Sequence, residues 1–204
     1  RRVVERDELR LVFQPQLALA DGRVNGVEAL LRWHSPEHGE VPPSQFIPLA
    51  EESGLIVGIG EWVLREACRT LADWRQAGQH DVAMAVNVSA VQLLRSDLTR
   101  TLERVLRETG IDPHALELEL TESMLMANAA LAAERLQAFR RLGISIAVDD
   151  FVAATEASQT GSRAAKREFA GALKELIAFN AKGLDQQVAS AETAHRRTVA
   201  ASWI

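Results

Sequence analysis

The chain has 204 residues, of which 47% are hydrophobic and 25% charged, the balance of a soluble globular protein with one sizeable core or a core plus an appendage. Its formal net charge of -5 excludes the concentrated basic surface that DNA or RNA binding requires, while leaving room for a small anion held by a few residues. The charged opening "RRVVERDELR" lacks the apolar core that a signal peptide would need, no apolar run of about eighteen residues predicts a transmembrane span within these residues, and the lone Cys68 excludes an internal disulfide.

Taken in order, residues 9–33, "LRLVFQPQLALADGRVNGVEALLRW", predict two strands joined by a turn at Asp21 and Gly22. "HSPEHGEVPPS" follows as a polar, proline-rich loop. Pro43 and Ser44 then open the helix "QFIPLAEESG", which Gly54 closes, and "GEWVLREACRTLADWRQAG" predicts a longer amphipathic helix from Gly60 to Gly78. Within it Leu64, Ala67, Cys68, Leu71 and Trp74 share one face, so Cys68 is read as a buried core thiol.

From there strands and helices alternate. "VAMAVNVS" is a strand, and "SDLTRTLERVLRETG" a helix with Ser96 as its N-cap and Gly110 at its stop. "ALELELTE" is a strand, "NAALAAERLQAFRRLG" a helix from the Asn128 cap to Gly143, and "ISIAVDDF" a strand. Such alternation predicts an α/β fold with a parallel sheet or barrel.

Strand parity locates the chemistry. Val82, Met84, Val86 and Val88 share one face of their strand, and Ala83, Ala85, Asn87 and Ser89 the other. Leu116, Leu118 and Leu120 lie opposite Glu117 and Glu119, and Ile144, Ile146 and Val148 lie opposite Ser145, Ala147 and Asp149. Glu28 is in phase with Gly26, Leu30 and Arg32. A solvated face would favour Lys, Thr, Gln and Arg; these second faces carry small residues and single carboxylates or an amide. Crowded carboxylates repel unless a cation neutralises them, and an all-oxygen donor set suits Mg²⁺, Mn²⁺ or Ca²⁺.

Five stretches carry a family resemblance: "FQPQLALADGRVNGVEALLRW", "FIPLAEESGLI", "NVSA", "LELELTES" and "ISIAVDDF". In order and spacing they resemble the EAL domains of bacterial cyclic di-GMP phosphodiesterases over about residues 8–151. The resemblance implies a TIM-like (β/α) barrel that hydrolyses cyclic di-GMP to linear pGpG with two Mg²⁺ or Mn²⁺ ions. By matching position it implies Glu28, Asn87, Glu119, Asp149 and Asp150 as metal ligands, with Asp150 on the second metal. Glu28, Asp149, Asp150 and Glu122 become the catalytic acids, Glu122 supporting the metal site and its loop. Gln14 and Arg32 become contacts to the dinucleotide, Arg32 to a phosphate. Family members often dimerise and often follow a sensory or GGDEF domain, so a homodimer, an upstream domain and a cytoplasmic location, free or on a membrane-anchored protein, are expected. The absence of an initiator Met points to a piece of a longer chain.

His34 and His38 flank the proline loop with no third ligand nearby, and Trp33, Trp62 and Trp74 are read as packing rather than stacking platforms.

After Phe151 the pattern changes. Residues 152–204 hold seven lysines and arginines against five acids, no proline, and apolar residues at helical spacing from Phe169 to Ala191, which predicts a helical tail. The family continues past "DDF" with a glycine-rich turn, a lysine-bearing strand and a later glutamate; here Val152 follows, and Lys166, Lys174 and Lys182 all fall in helical patterns. The expectation is therefore an EAL domain over 1–151 with about five strands, an apparently incomplete barrel, followed by a tail without family motifs over 152–204. Hydrolysis is expected to be impaired or lost, and the alternative is a degenerate module that binds cyclic di-GMP or a protein partner without turnover.

Overall fold

The computed structural model describes residues 7–18, 22–121, 124–125 and 128–149; Glu122, Asp150 and the expected helical tail lie outside the described residues. Strands β1 (Leu9–Leu17) and β2 (Val24–Ser35) pair antiparallel from Leu9↔Trp33 to Gln16↔Gly26, and the register shifts between Gln16 and Leu17. Gly22 takes φ +70 at the turn, a left-handed conformation that glycine adopts without steric cost.

The proline-rich loop is in fact a second hairpin. Strand β3 (Gly39–Val41) pairs antiparallel with the end of β2, Ser35↔Gly39 to Trp33↔Val41, so the sheet has six described strands rather than five. Ser35 makes this possible, because its buried hydroxyl accepts from the backbone N–H groups of Glu37 and His38, each at 3.3 Å.

Helix α1 (Pro43–Glu52) starts at a proline, whose missing N–H would have had no helical partner, and Gly54 at φ +73 stops it. Helix α2 (Ile56–Gln76) begins four residues before the expected Gly60. Gly60 reads locally as a breaker, but it faces the side chain of Gln92, and a Cβ there would collide with that carboxamide. Gln92 is itself held in a capping box with Ser89, its Oε1 accepting from Ser89 N–H at 3.1 Å while its own N–H donates to Ser89 Oγ at 3.2 Å. The box starts the short helix α3 (Ala90–Arg95), which periodicity does not reveal.

Helix α4 (Leu98–Thr109) is capped by Asp97, which accepts from Arg100 N–H at 3.2 Å. The expected cap, Ser96, instead donates its hydroxyl to Gln92 O at 2.6 Å and ends α3. After a 3₁₀ turn (Pro113–Ala115) come β5 (Leu116–Thr121), α5 (Ala129–Arg141) capped by Asn128 at 3.2 Å, and β6 (Ser145–Asp149).

The sheet runs β1-β2-β4-β5-β6 with β4 being Ala83–Asn87, and β2, β4, β5 and β6 are mutually parallel. Apart from the short β3, each new strand is added beside its predecessor in chain order, the winding of a barrel rather than of a sheet that reverses about a switch point. Met84, Leu116, Leu118, Leu120, Ile144 and Ile146 are fully buried on the outer face, as are Ala67, Cys68 and Leu71 of α2, Leu102 of α4 and Phe139 of α5. Among the described residues, no helix is long and apolar enough to cross a membrane.

Two outcomes follow from this packing. Gly60→Ala should lower the unfolding free energy by about 1–3 kcal/mol, as overpacking does, read as a lower urea midpoint, and Gln92→Ala in the same chain should recover part of the loss. Burial pushes the Cys68 thiol up to about 12, so a thiolate-directed reagent at neutral pH should label the native protein far more slowly than the urea-unfolded chain.

Candidate metal centre and ligand face

The face of the sheet opposite the leucines carries the polar residues at the ends of the parallel strands. Glu28 on β2 lies level with Ala85 on β4, so Asn87, two residues on, is its diagonal neighbour on the same face. The two side chains meet, Asn87 Nδ2 donating to Glu28 Oε1 at 2.7 Å. Asn87 is in turn level with Glu119 on β5, and Glu119 with Ala147 on β6. Val88 N–H donates to the Glu119 carbonyl at 3.0 Å and the Ser89 capping box follows at once, so the chain turns away and leaves Asn87 at the strand's tip.

A fourth side chain enters that periodicity did not single out. Gln16, on β1 and in phase with Gln14, donates from Nε2 to Glu119 Oε1 at 3.4 Å. In a flat sheet β1 and β5 would stand three strand spacings apart, about 14 Å. Their side chains touch because the sheet curls, and the polar residues line its concave side.

The other expected site residues are placed as follows. Gln14 is exposed on β1, opposite Glu28. Arg32 is half-buried, one strand repeat beyond Leu30 on the Glu28 face, with Nη1 donating to the Leu31 carbonyl at 2.9 Å. Asp149 ends β6 with its backbone level with Thr121. Asp150 and Glu122 lie outside the described residues. His34 is tied to Glu40, its register partner on β3, at 3.3 Å, beside Arg10 of β1 on the same carboxylate at 3.0 Å, and His38 approaches Glu37 in the turn at 4.0 Å, all of them exposed pairs. Trp33 packs edge-on against Phe46 and donates to Glu8 at 3.0 Å, and Trp74 packs edge-on against Phe13.

Glu28, Asn87 and Glu119 supply hard oxygen donors without thiol or imidazole, the chemistry of Mg²⁺ or Mn²⁺ rather than of structural zinc. Among the described residues, no three His, Cys, Asp or Glu side chains are grouped closely enough to cage an ion. The donor set there is two carboxylates and one amide, and the 2.7 Å contact between Glu28 and Asn87 shows two of its members already converged.

Deeper on the same face, burial raises the Glu117 carboxyl above its ordinary value of 4.5. Its register neighbours, Ala85 and Ser145, are small and uncharged. A carboxyl whose folded value is raised costs nothing below 4.5 and penalises the native state as pH rises through the raised value. Glu117→Gln should therefore increase the urea midpoint relative to the parent protein by more at pH 8 than at pH 4.5.

Comparison with known proteins adds three findings. The family model for the EAL domain matches residues 1–159. The oxygen sensor protein DosP of Escherichia coli (strain K12) is 45% identical over 151 residues, 74% of this chain and 19% of that protein, and the cyclic di-GMP phosphodiesterase PdeR of the same strain is 42% identical over 151 residues, 74% of this chain and 22% of that protein. The chain thus spans about a fifth of the length of these curated relatives. Among solved structures, the PaMucR phosphodiesterase in complex with c-di-GMP matches with a TM-score of 0.73 at 41% identity, over 82% of this chain and 66% of that one.

Proposed function

The chain belongs to the EAL domain family, and from that premise we propose that it binds cyclic di-GMP and divalent cations on the concave face of its sheet, with phosphodiester hydrolysis impaired or lost in this polypeptide. Its fold is the TIM-like barrel of that family, of which the described residues form a six-stranded sheet. The observation that carries the reading is the convergence of Glu28 and Asn87 at 2.7 Å, with Asn87 level with Glu119 and all three on one face of three adjacent parallel strands. The relatives named as cyclic di-GMP phosphodiesterases and the solved complex with c-di-GMP support the choice of ligand.

In this reading Glu28, Asn87, Glu119 and Asp149 hold Mg²⁺ or Mn²⁺, Asp150 serves a second ion, and Glu122 supports the site. Divalent cations there would supply Lewis-acid chemistry for the attack of water on one phosphodiester bond, which opens the ring to pGpG. Arg32 places a phosphate by charge, and Gln14, exposed beside Glu28, contacts the dinucleotide. Slow or absent hydrolysis rests on the sequence after Phe151, where Val152 replaces the family's glycine and no lysine-bearing strand pattern follows.

The test is direct. Purified protein mixed with cyclic di-GMP and Mn²⁺ should bind the dinucleotide while forming pGpG far below one turnover per second, the low end of typical enzyme rates at about 1 s⁻¹. Glu28→Gln and Asn87→Ala should each weaken Mn²⁺ binding by about tenfold or more, the scale of lost metal-site interactions. Turnover near that rate would overturn the impairment, and absence of both Mn²⁺ and dinucleotide binding would overturn the site. Binding with no pGpG at all would assign the chain to the second reading, a non-catalytic module, which the departure after Phe151 favours.

A further inference from the structure

Gly26 has no backbone reason to be glycine. Its φ is not in the left-handed region, and it sits inside β2, where glycine weakens a strand. What it supplies is space: a Cβ built on it would lie 2.8 Å from Gln16 Oε1, so the Gln16 carboxamide lies directly over the Gly26 α-carbon. Gln16 is also the residue at which the β1–β2 register shifts, and such irregularities re-aim a side chain. The re-aimed carboxamide crosses the concave face and donates to Glu119 Oε1 at 3.4 Å, over a sequence separation of 103 residues.

We propose that Gln16 is a positioning residue, seated in the notch left by Gly26, that fixes the orientation of the Glu119 carboxylate toward the cation site. The inference rests on the reading of Glu119 as a cation ligand. At 3.4 Å the contact is at the long end of hydrogen bonding, so its contribution is directional: it holds one carboxylate oxygen of Glu119 toward β1. Partners that orient a ligating carboxylate in this way commonly carry about 10–100-fold in metal affinity.

The geometry predicts a coupling between two residues that are not themselves ligands. Gln16→Ala removes the donor. Gly26→Ala leaves the donor in place but inserts a methyl group where its carboxamide lies, so it should displace the same hydrogen bond. Each variant of the full chain should lose about tenfold in Mn²⁺ affinity, measured by calorimetry or by the paramagnetic signal of free Mn²⁺. Gly26→Ala introduced into the Gln16→Ala chain should cost nothing further, because the group it displaces is already gone. Gln16→Met, similar in length and without a donor, should behave as Gln16→Ala, and thermal unfolding midpoints taken without added metal should stay close to the parent's.

Mn²⁺ affinity unchanged in Gln16→Ala, with Glu119→Gln markedly weakened, would overturn the positioning role and leave the cation site standing. Equal losses from Gly26→Ala in the two backgrounds would also overturn it, since the glycine would then act independently of Gln16. Failure of the parent protein to bind Mn²⁺ at all would overturn the cation site and this inference together.

Discussion

The structure depends on the burial of one face of three short parallel strands. Met84, Leu116, Leu118, Leu120, Ile144 and Ile146 are sealed against helices, each fully buried side chain of this size contributing about 1.5–3 kcal/mol. A slip of one residue in any strand would exchange this face for Glu117 and Glu119, or Asn87, or Ser145 and Ala147. Burying an unpaired carboxylate costs far more than such a slip could regain. The apolar face therefore sets the register, and the polar residues inherit their positions from it.

Curvature is the second consequence of the same pattern. Gly26, Ala83, Ala85, Ser145 and Ala147 leave the concave face thin, so strands can bend toward it without collision. The contact between Gln16 on β1 and Glu119 on β5 spans that concavity. Glu117 marks the limit of the arrangement, because lower on the same face burial already penalises its charged form.

What was legible in the sequence follows from how local each signal is. The parity of "VAMAVNVS", "LELELTE" and "ISIAVDD" spans at least two full periods, and the fold class and the faces of Asn87 and Glu119 could be read from it. Strand β3 has three residues, too few to show alternation, and its hairpin depends on a serine hydroxyl. Gly60 looked like a helix boundary because its fit against Gln92, on a helix some thirty residues later, is tertiary. Ser96 and Asp97 are both good caps, and only the competing carbonyl of Gln92 decides between them. Gln16 had the right phase but no local mark, since its partner is 103 residues away.

The pairing of amides with carboxylates gives the site its internal logic. Glu28 accepts from the Asn87 amide and Glu119 from the Gln16 amide, so each carboxylate has a neutral donor that lowers its repulsion for the other without cancelling its charge. The two amides differ in what they can do next. Asn87 stands at a strand tip and is exposed, and in the proposed reading it turns its oxygen toward a cation, exchanging its donation to Glu28 for ligation. Gln16 is half-buried, its carboxamide lying in the space that the absence of a Cβ at Gly26 leaves open. In the proposed reading one amide moves between donor and ligand while the other orients its carboxylate, a difference that comes down to exposure on one strand and a missing methyl group on another.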